Sequence, residues 1–273
     1  MSLAQVAILA IVQGLTEFIP VSSSGHLFLA TWLLKWPDQG LAFDIALHFG
    51  TLLAVIAYFF RDWVQVIAHG FGLDTEGNPE YRRNRGLLWL LAVGSLPIGV
   101  AGLLFKHHAE TTLRSPWVIG TMLVVVALIM EIAERMGQQQ KRMDHVNLLD
   151  AIVIGLSQAI AVIPGTSRSG ITISAGLFQN LDRATAARFS FMLSTPAIVA
   201  AAGKAFLDLR KAGGVADDMV MPMVVGVVLS AISGAGAIAL LMNYVRANTL
   251  RPFIVYRLVF GAIVLGLAFY RGA

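Results

Sequence analysis

The sequence predicts an all-α integral membrane protein, and three observations carry that prediction. Hydrophobic residues make up 57% of the 273-residue chain and charged residues only 13%, with a mean hydropathy of +0.73, outside the range of soluble globular proteins. The apolar residues fall in blocks of roughly 18 to 25 separated by charged patches, which suits helices crossing a hydrocarbon core, whereas a membrane barrel would show alternation. Two apolar segments also halt at a proline and open into hydroxyl-rich turns, Ile19-Pro20-Val21-Ser22-Ser23-Ser24-Gly25-His26 and Ile163-Pro164-Gly165-Thr166-Ser167-Arg168-Ser169-Gly170. Non-helical backbone at membrane depth is tolerated only where it is buried in protein or lines a polar cavity, so each break marks a candidate site.

Taken in order, residues 3–34 are longer than one span and are split by the first turn, which reads as two half-length helices that enter and leave by one face. The first fifteen residues lack the basic region and small-residue cleavage site of a removable signal, so they are expected to belong to the mature fold. Spans follow at residues 42–60, 86–105 and 117–133. Residues 148–181 repeat the split hairpin, and spans at 189–206, 219–245 and 253–269 complete the chain. A second landmark recurs in the same order: Thr112-Leu113-Arg114-Ser115-Pro116-Trp117-Val118 returns as Thr249-Leu250-Arg251-Pro252-Phe253-Ile254, which argues for an internal repeat. The expectation is one membrane domain, residues 1–273, built from repeats 1–145 and 146–273, each a re-entrant helical hairpin plus three transmembrane helices. Three spans is an odd number, so the second copy starts from the opposite face. The repeat is then an inverted-topology one, and the two turns are expected to meet near the midplane.

The net charge of +4 comes from Lys and Arg in inter-helix loops, so topology accounts for it and no nucleic-acid partner is implied. Seven such residues fall on the face of the N-terminus and eleven on the opposite face, which places the N-terminal face outside. With no cysteines, disulfides and thiolate metal sites are excluded.

Few ionisable residues fall inside the apolar segments, and charge at that depth costs roughly 2.5 to 3.5 kcal/mol on insertion scales. Glu17 is one, with Gln13 one helical turn earlier on the same face. It either lines a functional cavity or pairs structurally with Arg168 or Arg257. Ser22, Ser23 and Ser24 bring hydroxyls to the first turn, and His26 follows. A serine becomes a nucleophile when a base takes its proton, and histidine suits that task at neutral pH; the plainer alternative is that the serines cap the next half-helix. Arg168 lies between Ser167 and Ser169, with Gly165 and Gly170 permitting close backbone approach. A guanidinium beside a helix start favours phosphate oxygens, though a carboxylate fits nearly as well. Arg257 is a second phosphate ligand, a partner of Glu17, or a snorkelling side chain. Asp44 and His48, one turn apart on the first span, either extend the polar cavity or, the preferred reading, are an interfacial charge and a packing histidine, and the His107-His108-Ala109-Glu110 cluster lacks the further ligands of a metal site.

These residues resemble the bacitracin-resistance family, the undecaprenyl-diphosphatases of bacterial cell-wall synthesis. Gln13-Gly14-Leu15-Thr16-Glu17-Phe18-Ile19-Pro20-Val21-Ser22-Ser23-Ser24-Gly25-His26 resembles the first family motif and Pro164-Gly165-Thr166-Ser167-Arg168-Ser169-Gly170 the second. Length, span pattern and the late Tyr256-Arg257 also match, so the resemblance covers essentially the whole chain. It implies removal of one phosphate from a polyprenyl diphosphate lipid at an outward-facing site of the bacterial inner membrane, with a divalent cation, Mg²⁺ or Ca²⁺. It assigns Ser23 as nucleophile, His26 as acid/base, Glu17 as a metal-binding or proton-handling carboxylate, and Arg168 as the diphosphate clamp. Ser22, Ser167, Ser169, Gly165, Gly170 and Arg257 complete the expected phosphate-binding set. Many members carry glutamate where this chain has Gln13, which removes a carboxylate and leaves Glu17 alone in that helix, with Gln13 beside it as the other expected metal ligand. The rival expectation is a transporter or flippase of a phosphorylated prenyl lipid, because inverted repeats with broken helices are also transporter architecture. Whether two copies pair as a homodimer is left open by the sequence.

Overall fold

The computed structural model describes residues 2–36, 40–211 and 217–272; the side chains of Lys106, His107 and Glu110 lie outside the described residues. The helices are α1 (Leu3–Phe18), α2 (Ser23–Leu34), α3 (Leu41–Tyr58), α4 (Phe60–Gly70), α5 (Pro79–Arg83), α6 (Leu87–Glu110), α7 (Pro116–Met136), α8 (Leu148–Ile160), α9 (Arg168–Phe178), α10 (Arg183–Lys211), α11 (Asp217–Tyr244) and α12 (Arg251–Arg271). Among the described residues there is no strand, only an isolated bridge between Lys141 and Leu181. Among the described residues five helices, α6, α7, α10, α11 and α12, are long and apolar enough to cross a membrane, and α3 with α4 makes a sixth if the bent pair counts as one span. This is a multi-pass helical membrane protein.

Both split segments break where the prolines and serines stand, giving α1–α2 and α8–α9. Each first half-helix opens on a capping box, Ser2 with Gln5 and Asn147 with Asp150, which satisfies two otherwise orphaned backbone donors at the helix start. The 42–60 span ends early: α3 stops at Tyr58, Phe59 leaves helical geometry (φ −97°, ψ 20°), and α4 departs at 73°. The sequence reading missed α4, because Arg61 and Asp62 interrupt the apolar run there. Its polar side is anchored by Asp62, which accepts from the Tyr81 hydroxyl at 2.8 Å. Burial raises the Tyr81 phenol above its ordinary pKa, so that hydroxyl stays a donor.

Helices distant in sequence pack against one another. α1 and α3 lie on α11, α8 and α10 lie on α6, and α7 lies on α12. Lipid tails are as apolar as leucine, so such packing relies on close van der Waals approach through small residues. At Gly14 a Cβ would stand 2.7 Å from Gly234 N and Ser230 O of α11, and at Gly155 one would stand 2.9 Å from the Gly94 carbonyl carbon and Cα of α6. Phe18 and Phe191 meet edge-on at 5.4 Å beneath the first turn, tying α1 to α10 in the largest core cluster.

Candidate active site between two broken helices

The two turns are built alike. Helix α1 ends at Phe18 and α8 at Ile160, and the next helices start from Ser22 (φ 79°, ψ 97°) and Ser167 (φ 68°, ψ 104°). Both serines hold a positive φ that non-glycine residues rarely adopt, a costly conformation that persists where the surroundings enforce it. Each caps its helix, Ser22 Oγ accepting from Gly25 N at 3.3 Å and Ser167 Oγ from Gly170 N at 3.1 Å. Gly165 has φ 90°, and a Cβ there would lie 2.8 Å from Ile119 Cα, so the turn needs glycine.

These turns meet. Gly165 N donates to Ser24 Oγ at 3.4 Å and Ser169 Oγ donates to Ile19 O at 3.4 Å. Arg168 Nη2 donates to Glu17 Oε1 at 2.8 Å. The other Glu17 oxygen accepts from Ser23 Oγ at 2.5 Å and from Gln13 Nε2 at 3.1 Å. Ser23 and Arg168 are each the first residue of their helix, so one break presents a hydroxyl and the other a guanidinium. Arg168 Nη1 is buried with no hydrogen-bond partner among the described residues. A buried donor in that state costs about 1–3 kcal/mol, and more for a charged group, so it is ready for an anion. Both expected readings of Glu17 hold together: it pairs with Arg168 and also lines a cavity.

That cavity has a volume of about 330 Å³. Glu17, Ser23, Ser24, His48, Ser167 and Arg168 line its polar side, and Ile45, Ile98, Ala161, Ala197, Ile198, Ala201 and Ala202 the apolar remainder. An anionic headgroup with an alkyl tail fits such a division.

Two of the expected contacts are corrected. His26 does not bond Ser23: its Nδ1 lies 2.7 Å from Ser22 O, its Nε2 lies 2.6 Å from the Tyr256 hydroxyl, and its ring stacks on Phe260 at 4.7 Å. Since a carbonyl only accepts, Nδ1 carries the proton and Nε2 accepts from Tyr256. Arg257 neither pairs with Glu17 nor snorkels, and its donors are turned away from the cavity. It is wholly buried, and its hydrogen bonds go to the carbonyls of Pro20, Met122, Leu123, Gly165 and Thr166. Of the remaining phosphate-binding candidates, Ser167 reaches the cavity, whereas Ser22, Ser169, Gly165 and Gly170 are spent on building the turns. Arg168 is the charged donor left on the cavity wall with an unpartnered nitrogen among the described residues.

His48 is the residue the sequence reading set aside. Its Nδ1 lies 2.8 Å from Asp44 O, which fixes the proton there, and Nε2 stands 3.7 Å from Glu17 Oε2 on the cavity wall. The available signal was its place on α3, one turn from Asp44, but nothing in the sequence says which face of α3 meets the turns.

For a divalent cation, the chain offers the Glu17 carboxylate and the neighbouring Gln13 Oε1, which is buried without a hydrogen-bond partner. No group of three or more His, Cys, Asp or Glu stands ready for a metal among the described residues. Hard oxygen donors with a single carboxylate suit Mg²⁺ or Ca²⁺ when substrate phosphates supply further ligands. The donor set fits an ion shared with an anionic substrate.

The family model described as bacitracin resistance protein BacA matches residues 6–263. The undecaprenyl-diphosphatase of Moorella thermoacetica is 42% identical over 271 residues, 99% of this chain and 100% of that protein. That of Gemmatimonas aurantiaca is 42% identical over 264 residues, 97% of each chain. Undecaprenyl-diphosphatase 2 of Stutzerimonas stutzeri is 44% identical over 281 residues, 98% of each. Matches of this length run through both hairpins and all the long helices rather than through the two turns alone, and the chain therefore belongs to the bacitracin resistance protein BacA family.

Proposed function

We propose that the protein hydrolyses undecaprenyl diphosphate to undecaprenyl phosphate and inorganic phosphate, recycling the lipid carrier of cell-wall synthesis. The observation that carries this reading is the 2.5 Å hydrogen bond from Ser23 Oγ to Glu17, on a cavity wall shared with Arg168. Arg168 takes the terminal phosphate, using its unpartnered Nη1 and loosening its hold on Glu17. The freed carboxylate is then a better proton acceptor, so Ser23 Oγ attacks phosphorus as its proton passes to Glu17. The Oγ–P bond forms while the bridging P–O bond breaks, and undecaprenyl phosphate leaves. Water, deprotonated by His48 Nε2, next attacks the serine-bound phosphate, releasing inorganic phosphate while Ser23 regains a proton from Glu17. Such transfer rests chiefly on positioning and charge stabilisation. Glu17 and Gln13 would hold a Mg²⁺ or Ca²⁺, which would supply further charge neutralisation when bound.

A carrier needs binding groups and no nucleophile, so the Ser23–Glu17 bond favours hydrolysis over transport, as do the names of the relatives. The inverted repeat 1–145 and 146–273 is supported by matched details: the Ser2 and Asn147 capping boxes, and the Ser22 and Ser167 caps with their shared backbone geometry, are each separated by the length of the first repeat. The charge asymmetry of the loops favours a site opening to the periplasm or exterior of a bacterial inner membrane.

Phosphate release from undecaprenyl diphosphate by detergent-purified protein tests the reading. Ser23→Ala is expected to lower kcat by about 10³-fold or more, and full activity in that variant would remove Ser23 from the reaction.

A further inference from the structure

Arg257 differs from the buried carboxylates Glu17, Glu134 and Asp150, each paired with a cation, in having no oppositely charged partner among the described residues. Nε donates to Leu123 O at 3.2 Å, Nη1 to Pro20 O at 3.4 Å, and Nη2 to Met122 O, Gly165 O and Thr166 O at 3.1, 3.1 and 3.0 Å. Pro20 belongs to the first turn, Gly165 and Thr166 to the second, and Met122 and Leu123 to α7. Broken helices leave carbonyls without intrahelical partners at the negative end of the helix dipole. A planar cation with five donors reaches carbonyls of both turns and also the side of α7 at Met122 and Leu123, which the compact ammonium of lysine does not.

We infer that Arg257 is a positioning residue that fastens the two turns to each other and to α7, and so sets the spacing between Ser23 and Arg168. The inference rests on the hydrolytic reading above. The direct links between the turns are few: two hydrogen bonds of 3.4 Å and the Arg168–Glu17 pair. Substrate phosphate competes for Arg168, so the ion pair weakens when alignment matters most. Arg257 is absent from the cavity lining and does not bond Glu17, so a phosphate at Arg168 does not compete for its hydrogen bonds.

The test compares Arg257→Met and Arg257→Lys with the parent protein, full length in detergent, with kcat normalised to the folded fraction from thermal melting. Misplacement of reacting groups costs about a hundredfold, so Arg257→Met is expected to lose about that much kcat while KM for undecaprenyl diphosphate stays within about threefold. Arg257→Lys should fall between, and carries the test by the same split if Arg257→Met fails to fold. A KM raised tenfold or more at unchanged kcat would make Arg257 a phosphate ligand and overturn the inference. Unchanged kinetics, or a loss of activity no larger than the loss of folded protein, would overturn it equally. Absence of phosphate release by the parent protein is a separate outcome that removes the hydrolytic reading itself.

Discussion

Glu17 is asked to do two things at once, and its two oxygens divide the work. One holds Arg168 and the other accepts from Ser23, so in the proposed mechanism a single carboxylate both balances the cation that takes the phosphate and readies the hydroxyl that attacks it. Glu17→Gln preserves an oxygen for the Ser23 hydrogen bond but cannot take its proton or neutralise Arg168. Its kcat is expected to fall by about 10²- to 10³-fold, measured as phosphate release, and a loss below about threefold would show that the carboxylate takes no proton. The two histidines make a paired prediction. Because His48 Nε2 faces the cavity while His26 Nε2 is capped by Tyr256, His48→Gln should reduce kcat by at least about tenfold and by more than His26→Gln. The reverse ranking would return proton transfer to His26. Sequence spacing made His26 the obvious partner for Ser23, since residues three apart share a helix face. Side-chain direction decided otherwise: Ser23 turns back to α1, and His26 turns out to α12.

At the scale of elements, the half-helices α1 and α8 sit on α11 and α6 through close backbone approach at Gly14 and Gly155. Gly155 brings α8 against Gly94 of α6, and a Cβ there meets main chain that cannot swing aside. Gly155→Ala should therefore destabilise the protein by about 1–3 kcal/mol, read as a lower melting temperature in detergent. Gly236, within α11, has nothing within 4 Å of a built Cβ, and Gly236→Ala should be neutral or stabilising by up to about 1 kcal/mol. Equal melting temperatures for the two variants would count against close packing at Gly155. The boundaries of both hairpins were legible because Pro20 and Pro164 punctuate apolar runs. The α3–α4 bend was not, because no proline or glycine marks Phe59 and the apolar character continues through Phe60.

For the whole molecule, orientation and ion dependence can be tested separately. The chain has no cysteine, so single variants Ser2→Cys and Arg82→Cys report their own faces to a membrane-impermeant thiol reagent on intact cells. The loop charges predict labelling of the first and protection of the second, and the opposite pattern would invert the site. EDTA should lower phosphate release, and Mg²⁺ or Ca²⁺ should restore it; unchanged activity in EDTA would assign the whole charge balance to Arg168. By itself the sequence determined the helical membrane class, both broken hairpins and the polar residues at them, because apolar run length, proline and buried charge are local signals. Only the tertiary structure decided which of those residues share a cavity. The pairing of Glu17 with Arg168, the entry of His48 from α3 and the withdrawal of Arg257 to backbone carbonyls depend on how helices far apart in sequence face one another, and periodicity along a chain carries no information about that.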